Sequence, residues 1–201
     1  MTNYIFLVLP RWGFFNNFLK NNNWMATVFY ILTPQQTTFM FLITLLISIN
    51  RYIAVKYPLS YETFFSKSKV VIILLSFVIL STMIGLGNIP FNPSYEIFDL
   101  FGYFIPILKS KSVIYYQFFY TIILFGMISI ATCTFNVMAI LTIKKLNQNG
   151  NKQKRELYYI IYSIFIFITV FFVEAYFICR FIALKYKIKF FIDINYFFNV
   201  V

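Results

Sequence analysis

The sequence contains few charged residues for its length. Charged residues make up 11% of the 201 positions and hydrophobic residues 61%, whereas an ordinary soluble domain carries about 25% charged residues. A soluble fold of this size leaves too much surface in water to cover with so few polar side chains. The composition therefore excludes an ordinary soluble domain and indicates a chain that lies in lipid.

Histidine is absent, and the sequence has only two cysteines and six acidic residues. Cys133 and Cys179 both lie in apolar runs, and neither has the neighbours of a metal site or a thiol–histidine pair. A hydrolase or transferase site is hard to assemble from so few ionisable groups. We therefore expect no metal, no cofactor and no enzymatic activity.

The net charge of +11 has two interpretations. In a soluble protein such an excess of lysine and arginine is typical of nucleic-acid binding. Here the lysines flank apolar runs, which is the pattern that sets the orientation of membrane proteins. We expect the lipid bilayer as a partner, and no nucleic acid.

Four long segments lack Asp, Glu, Lys and Arg, namely 21–50, 70–95, 112–143 and 157–173. A helix needs about 20 apolar residues to cross a bilayer, and the fourth segment reaches that length, as 157–179, only if Glu174 is tolerated. None of the runs alternates as barrel strands do, and only helices and closed barrels satisfy the backbone in lipid. The predicted fold is an all-α membrane protein, a bundle of transmembrane helices.

The loops between these segments predict the topology. Loops 51–69 and 144–156 are rich in lysine and arginine, whereas the two lysines of 91–111 are balanced by two acids. The positive-inside rule places the first two loops in the cytoplasm and the third outside. Both ends of the chain are apolar, so we interpret them as partial spans that flank four complete ones.

The stretch NRYIAVKYPLSY, residues 50–61, follows the first complete span. Taken alone, Arg51 is a positive-inside anchor that reaches the headgroups. The whole stretch, however, resembles the end of the third helix and the following loop of rhodopsin-like G-protein-coupled receptors, (D/E)-R-Y-x-A-V-x-x-P-L-x-Y. The residues in register are Arg51, Tyr52, Ala54, Val55, Pro58, Leu59 and Tyr61.

Within that superfamily the chain looks like a nematode serpentine chemoreceptor of class gamma or class V. The resemblance covers nearly all of residues 1–201 as one transmembrane domain, from about the end of helix two to the start of helix seven. It implies a seven-helix receptor that binds a small-molecule or peptide ligand outside and activates a heterotrimeric G protein inside. It also implies a multi-pass protein in the plasma or ciliary membrane of sensory cells.

The resemblance implies a set of residues that face the G protein. These residues are Asn50, Arg51, Tyr52, Pro58, Leu59 and Tyr61. Arg51 would meet the C-terminal helix of the G protein, and Leu59 would present an apolar side chain to its surface. Asn50 stands where the family has an acid, and its amide can accept a hydrogen bond from Arg51 but cannot form an ion pair. The resting contact of Arg51 is therefore looser or rests on another acid such as Glu156.

Polar residues inside the apolar runs supply the candidates for a ligand pocket, Gln117 and Glu174. Glu174 lies 17 residues after Leu157, hence about 25 Å along a helix and near the outer mouth. The alternative is an acid at the interface that is hydrated or paired with a basic residue. Asn88 and Asn136 are interpreted as hydrogen-bond partners between helices, and Pro34 as a kink whose freed carbonyl is satisfied by nearby groups.

Two other functions remain open on the sequence alone. A transporter or channel fragment would usually have charges at the membrane midplane and inverted repeats, and no repeat is visible. An inactive, truncated receptor remnant is the other alternative. The chemosensory receptor is the interpretation that the motif favours.

Overall fold

The computed structural model describes most of the first three-quarters of the chain and part of the last quarter. The described residues are 4–8, 10, 12, 16–98, 103–147, 158, 161–163, 165–166, 168–169, 171–173, 175–176, 178–179 and 182.

Helices dominate these residues. The α-helices are α1 (Asn16–Asn21), α2 (Trp24–Lys56), α3 (Tyr61–Phe64), α4 (Lys67–Leu86), α5 (Val113–Phe118) and α6 (Phe125–Asn147). Shorter helical pieces are the π-helices Tyr4–Val8 and Phe119–Leu124 and the 3₁₀ turns Pro58–Ser60 and Ile89–Phe91. Strands β1 (Pro93–Phe98) and β2 (Tyr103–Leu108) form one hairpin.

Three of the four predicted spans are helical over a length that crosses a membrane. By length and composition these candidate spans are Trp24–Lys56, Lys67–Phe91 and Val113–Lys145. The fourth predicted span lies partly outside the described residues, and those described between 158 and 182 are all helical. Along α4 many large apolar side chains are exposed, among them Ile72, Leu75 and Met83, as expected for a helix surrounded by lipid.

The contacts divide the chain into two compact units. The first unit contains the described residues of Met1–Phe39, Val78–Tyr120 and Cys179–Val201, and the second those of Met40–Phe77 and Thr121–Ile178. Each unit has its own buried side chains.

In the first unit, a proline in α2 determines a contact with the end of α4. Pro34 has no N–H, so the carbonyl of Tyr30, four residues earlier, loses its helical donor. The side chain of Asn88 replaces it, because its Nδ2 donates to the Tyr30 carbonyl at 3.0 Å. Asn88 is fully buried. Its predicted role as a bond between helices is confirmed, as is the satisfied carbonyl before Pro34.

The two helices approach each other closely at Gly85. A Cβ atom there would overlap the carbonyl oxygen of Ile31 and lie 3.1 Å from its carbonyl carbon. One turn earlier, Gln35 Nε2 donates to Thr82 Oγ1 at 2.8 Å. Small residues let membrane helices approach closely enough for such contacts. The absence of a side chain at 85 is therefore what allows these bonds to form.

The loop between α4 and α5 is a two-stranded antiparallel hairpin, which corrects the all-α prediction. Pro93 pairs with Leu108 and Phe98 with Tyr103. The run 70–95 therefore does not continue as helix to its end, because the helix stops at Leu86 and residue 93 already belongs to β1. A loop that leaves the membrane is free to satisfy its backbone with a strand partner instead of a helix.

Side chains fasten this hairpin to the rest of the first unit. Tyr30 donates its hydroxyl to the carbonyl of Pro106 at 2.9 Å, and Tyr95 donates to the carbonyl of Phe6 at 3.0 Å. Tyr95 also packs in a buried cluster with Leu19, Ala26 and Phe104. Burial raises the pKa of the Tyr95 hydroxyl well above its usual range, so this group remains a donor at every physiological pH.

In the second unit the core centres on Phe125. Its ring is fully buried and stacks on Phe41 with centroids 4.5 Å apart. Buried hydroxyls such as Ser48 and Thr132 donate to carbonyls of their own helices, which satisfies them without water. The Oδ1 atom of Asn136 is buried and has no hydrogen-bond partner among the described residues, so the predicted bond from Asn136 to another helix finds no support there.

Replacement of Gly85 by alanine is expected to destabilise the protein. The new methyl group would meet backbone atoms of Ile31, which have no rotamer with which to move aside, and such overpacking costs about 1–3 kcal/mol. Gly126→Ala is the matched control, since a Cβ there meets nothing within 4 Å. Thermal unfolding in detergent, followed by size-exclusion chromatography, measures both. Equal melting temperatures for the two variants would contradict the close approach of α2 and α4.

Candidate functional site

The segment with the receptor-like motif lies at the end of α2, within the second unit. The helix includes Arg51 and Tyr52 and ends at Lys56. Tyr57 leaves the helical region with φ −130° and ψ 61°, because the residue before a proline disfavours helical angles. Pro58–Ser60 then forms a 3₁₀ turn. The motif thus combines the last turns of a long helix with a tight turn beyond it.

Arg51 is half-buried, and its guanidinium stacks on an aromatic ring. The Cζ atom lies 3.5 Å from the ring centroid of Tyr162, well within the distance of about 6 Å at which a cation–π attraction acts. The Nη1 atom is buried without a hydrogen-bond partner in the described part of the chain. The arginine of the motif therefore has an aromatic partner, Tyr162.

The amide oxygen of Asn50 binds Tyr61 rather than Arg51 in the structure. Asn50 Oδ1 accepts a hydrogen bond from the hydroxyl of Tyr61 at 2.8 Å, and the Tyr61 ring stacks on Phe65 with centroids 5.6 Å apart. The amide oxygen expected to bind Arg51 instead fixes the chain after the turn to the end of α2. The other predicted partner of Arg51, Glu156, lies outside the described residues.

Tyr52 faces the core rather than the surface. Its side chain is 8% exposed, and its ring lies 5.8 Å from that of Phe135 on α6. Among the predicted G-protein-facing residues, Tyr52 is thus a packing residue that holds the end of α2 against α6. Neighbouring positions 51 and 52 point their side chains at two different segments, as successive positions on a helix do.

Leu59 is the most exposed large apolar side chain of the turn. It is 100% exposed, and Tyr57 and Phe64 beside it are 44% and 49% exposed. Pro58 is also exposed, as are the lysines Lys56, Lys67 and Lys69. The turn itself contains one exposed acid, Glu62, between these lysines. An apolar side chain presented on a turn with mostly basic residues before and after it is typical of an interaction surface. We call residues 57–64 the Leu59 turn.

The second unit also contains a cavity of about 610 Å³. Its walls are formed by α6, the π-helix before it and the helical residues near 171–178; the lining residues are Ile122, Gly126, Ser129, Ile130, Cys133, Thr134, Val137, Met138, Phe171 and Ile178. None of these side chains is charged. The volume lies in the range of small-molecule sites, about 300–1,000 Å³.

Two features of the helix beside the cavity are unusual. Gly126 leaves open space where a side chain would stand, although glycine inside a helix is less stable than alanine by about 1 kcal/mol. The turn that precedes it, Phe119–Leu124, is a π-helix, a form that often accompanies functional sites. The missing side chain at Gly126 keeps this face of the span open.

Of the two predicted ligand-pocket residues, Gln117 is described and does not line this cavity. Gln117 is half-buried in α5, in the first unit, and Glu174 lies outside the described residues. No cluster of three or more potential metal ligands occurs within the described part of the chain. Gln117 and Glu174 therefore stay predictions.

Sequence reasoning missed the hairpin, Tyr162 and the cavity. The hairpin had a signal, because 93–98 and 103–108 are rich in aromatic and β-branched residues and a glycine lies between them. Gly126 in an otherwise bulky run was a weak signal of open space. Tyr162 had none, since one tyrosine among 16 does not reveal which ring faces Arg51.

The comparisons with known proteins agree with the motif. A family model described as Srg family chemoreceptor matches residues 4–201. No curated protein and no solved structure matches the chain.

Proposed function

The chain belongs to the Srg family of chemoreceptors, a nematode serpentine family, and from this premise we propose that it binds a ligand and couples to a heterotrimeric G protein. The family and the three apolar helices make it a multi-pass membrane protein. Family membership points to a receptor rather than an enzyme. In this proposal α2, α4 and the span Val113–Lys145 take the places of receptor helices three, four and five.

The observation that carries the G-protein proposal is the Leu59 turn. Leu59 is exposed together with Tyr57 and Phe64, and a group of exposed apolar side chains is typical of a surface that a partner covers. The surrounding lysines suit the acidic side chains or carboxyl terminus of an incoming protein and steer its approach. Arg51, at the end of the same helix, supplies guanidinium donors to carbonyl or carboxylate groups of that partner.

The ligand proposal rests on the cavity beside α6. The lining residues that the structure describes are uncharged, so an uncharged, mainly apolar molecule fits them best, because a buried charge without a partner is costly. Thr134 Oγ1 already donates to the carbonyl of Ile130 at 2.8 Å, so it is left as an acceptor for one ligand hydroxyl. We propose a neutral ligand with few polar groups for this cavity.

Replacing Leu59 by alanine is expected to weaken G-protein binding by about tenfold or more, the usual effect of truncating a central apolar contact. Protein yield should stay unchanged, because Leu59 is 100% exposed. The measurement is binding of purified heterotrimers, one for each Gα class, to the full chain in nanodiscs after removal of nucleotide. Ser60→Ala, on the exposed neighbouring residue, is the control. Undiminished binding by Leu59→Ala would remove the Leu59 turn from the interface.

Arg51→Ala is expected to keep surface expression and lose G-protein activation. The Arg51 Nη1 atom has no hydrogen-bond partner among the described residues, so its removal leaves no buried acceptor unsatisfied. Surface labelling and nucleotide exchange on a co-expressed G protein measure the two effects separately. Activation that survives the substitution would show that Arg51 acts only as a membrane anchor.

Gly126→Leu is expected to fill the cavity and exclude a neutral ligand. A side chain at 126 enters open space, and leucine is a better helix former than glycine, so the fold should be retained. A photoreactive long-chain alcohol, diluted into nanodiscs, is cross-linked and its adducts within residues 122–138 are counted by mass spectrometry. We expect about a tenfold loss of adducts, which Ile123→Leu, outside the cavity lining, should not produce. Equal labelling of all three proteins would indicate general contact with lipid.

A further inference from the structure

We propose that the ring of Tyr162 is the resting partner of Arg51 and releases it when the receptor couples, an inference that rests on the proposed function. Tyr162 is then a positioning residue: it touches no G protein and acts through Arg51. The observation behind it is the contact itself, with the guanidinium carbon 3.5 Å from the ring centroid. We call this contact the Arg51–Tyr162 latch.

The guanidinium of Arg51 needs a stabilising partner because it is partly buried. Nη1 is buried without a hydrogen-bond partner in the described chain, and a desolvated cation is unfavourable unless something compensates it. The face of an aromatic ring carries negative charge density and does so without accepting a conventional hydrogen bond. The ring of Tyr162 is thus the group in contact with Arg51 that is suited to this task.

Other partners for Arg51 are not in place among the described residues. The preceding amide, Asn50, accepts from Tyr61 at 2.8 Å. The ion pair observed there joins Lys109 to Glu96, in the other unit. No described carboxylate forms an ion pair with Arg51. The aromatic contact therefore stands where an acid would hold the arginine in an ionic latch.

The surroundings of Tyr162 allow the latch to open without unfolding the unit. Tyr162 is 37% exposed, whereas Ser163 and Ile166 on the same segment are each 8% exposed. Tyr52 holds the end of α2 on α6 through Phe135, independently of Tyr162. Loss of the latch therefore frees the guanidinium while both segments keep their buried contacts. Its unsatisfied donors are then available to carbonyl or carboxylate groups of an incoming protein.

The size of the expected effect follows from the strength of such contacts. A cation–π pair that is partly withdrawn from water shifts a two-state equilibrium by about 5- to 30-fold. We call molecules in which the Arg51–Tyr162 contact is broken the open population. Tyr162→Leu keeps an apolar side chain but removes the ring, and should raise the open population by that factor. Tyr162→Phe keeps the ring face and should stay within about threefold of the unchanged protein.

The test measures the latch without any G protein. Spin labels are placed at exposed positions by Ala54→Cys and Phe165→Cys. Cys133 and Cys179 are replaced by alanine so that they are not labelled. The distance between the two labels is measured by pulsed electron resonance on the full chain in nanodiscs. We expect a second, longer distance in Tyr162→Leu and little change in Tyr162→Phe. Tyr158→Leu is the matched control, since this tyrosine lies one turn earlier and is 75% exposed.

A second series of variants at position 162 keeps the shape of the side chain and the fold of the protein constant. Phenylalanine analogues with one, two and three ring fluorines at position 162 withdraw charge density from the ring face in steps. The latch predicts an open population that rises with each fluorine. A population independent of fluorination overturns the proposal, as does an effect of Tyr158→Leu equal to that of Tyr162→Leu, or a Tyr162→Phe variant that opens as far as Tyr162→Leu.

G-protein binding by the same variants separates the two proposals. If opening follows the ring chemistry and heterotrimer affinity rises with it, the latch is supported together with its role in coupling. If opening follows the ring chemistry but no variant binds a heterotrimer of any Gα class, the contact is confirmed as a latch, its coupling role is overturned and the proposed G-protein function fails. If heterotrimers bind and the distances never change, the function stands and the latch is wrong.

Discussion

The structure depends on one constraint, which is that polar groups in hydrocarbon must find partners within the chain. Helices satisfy most of the backbone, and the hydroxyls of Thr44, Ser48 and Ser76 bond to carbonyls of their own helices. Where Pro34 removes one donor, Asn88 supplies another from a different helix. Gly85 then brings the two helices close enough for this to happen. A single interrupted backbone bond thereby determines a tertiary contact.

The same constraint gives Arg51 its significance. In water an arginine exchanges hydrogen bonds freely, and its position on a helix matters little. Partly buried at the end of α2, with no hydrogen-bond partner for Nη1 among the described residues, it depends on the ring of Tyr162. A cation held by a contact weaker than an ion pair is well suited to being transferred to another protein. In the proposed function, the end of α2 is the part of the molecule from which a signal leaves it.

The sequence predicted the site unevenly. The motif located Arg51 and Leu59, and the structure places Leu59 fully exposed on a turn; their contact with a G protein stays a prediction. The motif also offered Asn50 as an acceptor for Arg51, whereas in the structure the amide oxygen of Asn50 accepts from Tyr61. Tyr52 was assigned to the surface that faces the G protein, but it packs against Phe135. A linear motif identifies residue types at a helix end and does not give the direction of each side chain.

By itself the sequence determined the apolar spans, their approximate ends, the basic loops and the family, since these depend on local composition and on one contiguous motif. Only the tertiary structure decided which face of each span packs inward. Helices that are apolar all round contain no polar stripe from which to infer their rotation. The pairings of Asn88 with Tyr30 and of Arg51 with Tyr162 therefore result from close packing between segments that are distant in the chain.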